Sequence, residues 1–311
     1  MNEAWHVYKG GVERAESPLI DSWLAKSPPW RRLRPPGPDV TRTPPEDPVA
    51  DVRGERYICS GDNELLCVNA ALLLRRPLLV SGPPGVGKST LAYRIAWELG
   101  LGPPLRWEID SRTTLADGLY AYDAVAHFQS RDKERPIGDF ITLGPLGTAL
   151  LPTARPRVLL VDELDKSSFD LPNDLLHVFE EGGFSIPETI REGGEHRVFP
   201  SDRRGASDLV LVSSGHVATR HHPVVILTSN GERPFPPAFL RRCVPLELPR
   251  PGRALLEEVI QRQFEGDADQ TQTSAILDAF AGETTDRVLQ ALYLQRCGVD
   301  AAQLELLREQ R

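Results

Sequence analysis

The chain is poor in cysteine, with four in 311 residues: Cys59, Cys67, Cys243 and Cys297. None forms a C-x-x-C pair, so neither a zinc site nor a disulfide framework is indicated, and reduced, buried thiols are expected. Basic residues are outnumbered, 36 Lys and Arg against 44 Asp and Glu, for a formal net charge of −8 and a pI near 5.5. That balance argues against a generic nucleic-acid coat, while a local basic groove remains open. No apolar run approaches the ~18 residues of a membrane span. The opening residues MNEAWHVYKGG lack the apolar region of a signal peptide. A soluble cytoplasmic protein is the expectation. Ligand spacing is missing among the seven histidines, and His221-His222 is expected to form a solvated turn before a strand.

A hydrophobic content of 40% is enough for a globular core, and the length allows about two domains at ~150 residues each. Residues 1–56 read as an arm: eight prolines fall within 28–48, a composition that favours extended, semi-rigid chain. Trp23 and Trp30 are candidate anchors for that arm, on the core or on a neighbouring subunit. A globular part follows from Tyr57. Continuous apolar runs at 77–81, 157–161 and 223–228 fit strands buried on both faces of a parallel sheet, and 105–109 and 244–248 add two more. Residues 183–222 alternate around a polar, Gly-rich tip and suggest one long hairpin. After Pro249 and Pro251 the pattern is helical to the end, a bundle of about four helices.

The most informative stretch is LLVSGPPGVGKST, residues 78–90. It fits G-x-x-x-x-G-K-[ST], between a buried strand and a helical run. Gly82, Pro83, Pro84, Gly85, Val86, Gly87, Lys88, Ser89 and Thr90 form the expected phosphate cradle. Glycines let backbone N–H groups curl around phosphate oxygens, and the helix N-terminus adds partial positive charge. Lys88 is expected to reach the β- and γ-phosphates and Ser89 to ligate Mg²⁺. Asp162, closing the strand RVLLV, is the expected acidic partner of that Mg²⁺. Glu163 is placed to take a proton from attacking water. Asn230, at the end of another core strand, can orient that water. Arg241 and Arg242 are candidates for a cationic finger on the transferring phosphoryl group, which in trans implies a site between two subunits. Arg287, in the helical bundle, is a candidate γ-phosphate contact from the lid side.

These residues resemble the AAA+ ATPases: GPPGVGKST, then LLVDELDK at 159–166, then LTSNGERPFPPAFLRRC at 227–243. DSRTTLADGLYAYD at 110–123, GPLGTALL at 144–151 and LPNDLLHVFEEGGFSIPE at 171–188 look like the MoxR-type branch, with its insert in the second helix. The resemblance covers roughly residues 57–311. It implies an α/β fold, an αβα sandwich on a five-stranded parallel sheet followed by a small all-α lid. The domains would be the arm at 1–56, the nucleotide-binding domain at 57–248 and the lid at 249–311. It also implies ATP and Mg²⁺ as ligands and a hexameric ring that remodels a protein partner, such as a von Willebrand A domain protein. In that family's terms Gly82–Ser89 are Walker A, Asp162 and Glu163 Walker B, Asn230 sensor 1 and Arg241 or Arg242 the arginine finger. Around Arg287 the sensor-2 motif departs from the family pattern. Two other readings compete: a nucleic-acid-associated motor of the McrB kind, using ATP or GTP, and a nucleotide-gated switch in a signalling or defence assembly.

Overall fold

The computed structural model describes residues 5–31, 33, 42–130, 135–202, 208–265, 270–300 and 303–304. Two helices, α1 (Ser17–Ala25) and α2 (Pro48–Glu55), precede the core. Pro48 opens α2, and the Asp47 carboxylate caps it by accepting from the Val49 and Ala50 N–H groups. Next come α3 (Asp62–Leu74), β1 (Leu78–Ser81), α4 (Lys88–Glu98) and β2 (Leu105–Glu108). A small insert follows: α5 (Leu115–Leu119), β3 (Tyr120–Tyr122), α6 (Ala124–Gln129), β4 (Ile141–Leu143) and α7 (Pro145–Ala149). The chain then re-enters the sheet at β5 (Val158–Asp162) and continues into α8 (Leu171–Glu181). Gly182 closes α8 in the left-handed conformation.

Residues 183–222 do not form a single hairpin. They hold β6 (Gly183–Ser185), α9 (Pro187–Glu192), β7 (Glu195–Val198), β8 (Val210–Ser213) and β9 (His216–Ala218). These strands make a four-stranded antiparallel sheet in the order β6-β9-β8-β7. Alternation marks each strand locally, but pairing β6 with β9 closes a loop across more than thirty residues, which alternation does not encode. The expected tip is only partly within the described residues. The core resumes with β10 (Val224–Ser229), α10 (Pro237–Leu240) and β11 (Val244–Glu247). A helical group follows: α11 (Arg253–Gln263), α12 (Gln270–Ala279) and α13 (Thr285–Arg296). Three helices of the expected four are thus among the described residues.

The three apolar runs and the two further expected strands make one parallel sheet, ordered β11-β1-β10-β5-β2. Alternate residues of its central strands serve opposite cores. Leu79, Leu159, Val161, Val225 and Leu227 pack with α7, α8 and the antiparallel sheet. Leu78, Val80, Val158, Leu160, Val224 and Ile226 pack with α3, α4 and α1. Burial on both faces explains why these strands read as unbroken apolar runs rather than alternating ones.

The amino-terminal residues belong to this second core, contrary to the expectation of an extended arm. Val7, Tyr8, Ile20 and Trp23 are buried in it. Asn69 accepts from the Val7 and Tyr8 N–H groups at 2.7 and 2.9 Å and donates to the Tyr8 carbonyl. Glu98 accepts from the Lys9 and Gly10 N–H groups. The Trp23 indole donates to the Leu72 carbonyl, with the Arg75 guanidinium 4.2 Å from its ring centroid. Trp23 is therefore an anchor on the chain's own core, whereas Trp30 is exposed. Two smaller expectations also change. Only Cys243 is a fully buried thiol, with Cys59 and Cys67 half-buried and Cys297 exposed. His222 is buried rather than solvated, and burial, then the nearby Arg31 charge, pushes its imidazole down to about 4.

Candidate functional site

The site forms where β1, β5 and β10 end side by side, at the carboxyl edge of the parallel sheet. Residues 82–87 turn from β1 into α4. Gly82 (φ +148°) lies so close to the Leu248 carbonyl oxygen that an added Cβ would stand 2.3 Å from it, and Gly87 (φ +98°) enters α4 in a conformation L side chains rarely adopt. The loop borders a cleft of about 490 Å³. Lys88, Ser89 and Thr90 line it from α4, Asp162 and Glu163 from β5, and Thr228 and Asn230 from β10. The helical group closes it from the other side through Leu255, Val259 and Leu289.

Inside the cleft the polar groups form a continuous network. Lys88 Nζ donates to the Gly82 and Pro83 carbonyls at 2.8 and 2.9 Å and to Asn230 Oδ1 at 2.7 Å. Burial lowers its pKa, opposed by the charges of Asp165, Asp162 and Glu163. Asn230 Nδ2 donates to Glu163 Oε1 at 3.2 Å. Asn230 N and Glu232 N both donate to Asp165 Oδ2, which fixes the loop after β10. Glu163 adopts a left-handed backbone, φ +62°, a strained position for a side chain of this kind and of the sort that collects at working sites. Its other oxygen accepts from Lys166 at 2.6 Å.

Asp162 Oδ1 accepts from Ser89 Oγ and Thr228 Oγ1, both at 2.7 Å. Its Oδ2 accepts from Arg106 Nη2 at 3.0 Å and Nε at 3.3 Å. Burial pushes this carboxyl upward, but the bonds from Ser89, Thr228 and Arg106 outweigh it and hold the group below the usual carboxylate range. Asp162 is therefore ionised at neutral pH beside a serine hydroxyl. No cluster of three His, Cys, Asp or Glu side chains suited to a metal occurs among the described residues. One hydroxyl and one carboxylate beside a phosphate loop suit Mg²⁺, which takes few protein oxygens and completes its shell with water and phosphate. The donor set thus fits the expected ion.

The structure brings together Lys88, Ser89, Asp162, Glu163 and Asn230. It does not bring in the arginines named from sequence. Arg242 pairs with Glu180 at 2.8 Å, the Arg241 carbonyl accepts from Arg76, and neither residue lines the cleft. Arg287 also stays off the cleft wall, its guanidinium 3.4 Å from Glu283. The lid reaches the cleft through its helix neighbours Thr285 and Asp286 instead. Three further arginines line the cleft, among them Arg56, whose guanidinium donates to the Gln263 carbonyl. Arg106 lines the cleft from β2, because β2 lies beside β5 in the sheet. Arg53 lines it from α2, stacked 4.2 Å from the Tyr93 ring centroid and donating to Thr90 Oγ1 at 3.3 Å. No local motif marks either residue. Their partners stand 56 and 37 residues away in the chain.

Residues 78–182 match the model of a family described as "ATPase family associated with various cellular activities (AAA)". No curated protein matches the chain. Among solved structures, the chain is similar to the RuvB Holliday junction branch migration motor of Thermotoga maritima, at 19% identity and a TM-score of 0.40. It is also similar to NtrX of Brucella abortus, determined in complex with ADP, at 15% identity and a TM-score of 0.41. These alignments take in 75% and 79% of this chain but only 59% and 52% of the other two. The matched residues run from β1 to the glycine that ends α8 and contribute β1, β2 and β5 to the five-stranded parallel sheet of this α/β fold.

Proposed function

We propose that this protein is a Mg²⁺-dependent ATPase that acts as a ring and remodels or activates a partner protein, within the MoxR-type branch. The hydrogen-bonded line Lys88–Asn230–Glu163 inside one cleft supports this reading above all. A lysine for phosphate, an amide for water and a carboxylate for the proton stand in sequence along it. Lys88 and the backbone N–H groups of Gly85 to Ser89 bind the triphosphate. Ser89 and Asp162 would hold Mg²⁺, which when bound would offset negative charge on the triphosphate. Asn230 orients the attacking water, and Glu163 accepts its proton. Arg241 or Arg242, on the surface, acts on the cleft of a neighbouring subunit, and Arg242 exchanges its pairing with Glu180 for that contact. The core at 57–248 and the lid at 249–311 clamp the nucleotide between them, in a cytoplasmic hexamer whose partner is a von Willebrand A domain protein.

Lys88→Ala is expected to abolish ATP binding measured by calorimetry. Glu163→Gln is expected to keep binding and lose at least 100-fold in turnover, the scale of a lost general base. The Glu163→Gln protein with ATP and Mg²⁺, weighed by native mass spectrometry, is expected to be a ring with a captured partner. A monomer that hydrolyses ATP at the unsubstituted rate would overturn the assignment.

A further inference from the structure

A second cavity, of about 290 Å³, opens between the amino-terminal segment at Arg42–Pro44 and the loops that precede β2 and β5. It lies at the opposite edge of the sheet from the phosphate loop, because Arg157 immediately precedes β5 whereas Asp162 ends it. Its wall carries three guanidinium groups, Arg42, Arg155 and Arg157, and none of its described lining residues is acidic. The nearest carboxylate among the described residues, Asp202, is shared: Arg157 Nη1 lies 2.6 Å and Arg42 Nη2 2.7 Å from its oxygens. Asp21 stands 4.0 Å from Arg155, which donates to Ser17 Oγ.

Among the described residues one carboxylate serves two arginines, an excess of positive charge, and both side chains are out of water, at 4% and 9% exposure. Charge buried in this way is costly unless an anion meets it. Donors remain to meet one. Arg42 Nε and Arg157 Nε are buried without a hydrogen-bond partner. Among the described residues Arg155 engages through Nη2, and the rest of its planar fork suits a tetrahedral oxyanion. We infer that this cavity is a second anion site, which takes a small phosphoryl-bearing polyanion and ties the amino-terminal segment to the base of the sheet.

The probe is inorganic pyrophosphate, titrated calorimetrically into Lys88→Ala protein so that the phosphate loop is silent. One binding event is expected. Adding Arg155→Ala, at a partly exposed position that the packed core tolerates, is expected to weaken it at least tenfold, and Arg155→Lys to restore part of the loss. In the Lys88→Ala background pyrophosphate is also expected to raise the melting temperature, and Arg155→Ala to remove that rise. Absence of pyrophosphate binding by the Lys88→Ala protein, or identical titrations with and without Arg155, would overturn the site.

Discussion

Arg106 is the residue whose chemistry most exceeds its sequence signal. Its side chain is 46% exposed, yet it holds Asp162 Oδ2 while Glu108 stands 3.0 Å away as a second carboxylate partner. A divalent cation held by Ser89 and Asp162 would share that carboxylate with the guanidinium, and two like charges at such range repel. Arg106→Ala is therefore expected to lower the Mg²⁺ concentration for half-maximal nucleotide binding severalfold. Without metal it is expected to weaken nucleotide binding, because the cleft loses a cation. Fluorescence titration of ATP at varied Mg²⁺ measures both effects. No change in either would make Arg106 a surface partner of Glu108. The phosphate loop itself was legible because its residues, Gly82 to Ser89, are contiguous in the chain. Arg106 was not, because its role exists only once β2 lies beside β5.

At the scale of elements, the docking of residues 5–31 alters how α3 and α4 are held. Glu64, fully buried on α3, accepts from the hydroxyls of Tyr8, Tyr57 and Ser60 and from the Ser60 N–H. Tyr57 and Ser60 line the nucleotide cleft. One carboxylate thus joins the amino-terminal segment to the cleft wall. The anchor of α1 is Trp23, buried, stacked against Arg75 and bonded to Leu72. Trp23→Ala is expected to cost about 3–5 kcal/mol, as for other buried large aromatics, read as a fall in the urea midpoint. An unchanged midpoint would mean that α1 adds nothing to the core. Proline density in 28–48 pointed to an arm, but the apolar positions Val7, Ile20 and Trp23 are spread thinly in polar sequence. Only the receiving face of α3 and α4 reveals them as core.

Over the whole molecule, His222 gives the fold a dependence on acid. Its imidazole is buried beside Arg31 and Arg75, and its pKa falls to about 4, below the ordinary 6.5. The unfolded chain therefore binds a proton between those values when the folded chain does not. Stability is full above about pH 6.5 and declines as pH falls towards about 4, by up to ~3 kcal/mol from this group. His222→Gln is expected to flatten that part of the profile of urea stability against pH. An unaltered slope would assign the acid sensitivity to other groups.

The amino-acid order alone determined the parallel-sheet core, the phosphate loop, the acidic pair ending β5 and the helical carboxyl-terminal part. Each of these is carried by contiguous residues: an apolar run, a glycine pattern or a helical period. Tertiary structure decided everything that depends on meetings between distant segments. It put Arg53 and Arg106 at the cleft, Asp286 rather than Arg287 at the lid wall, and Arg241 and Arg242 on the outside. It also drew the amino-terminal residues into the core and gathered three arginines at the far edge of the sheet. Such meetings are fixed by which strands pair and which faces pack, and no local pattern records those choices.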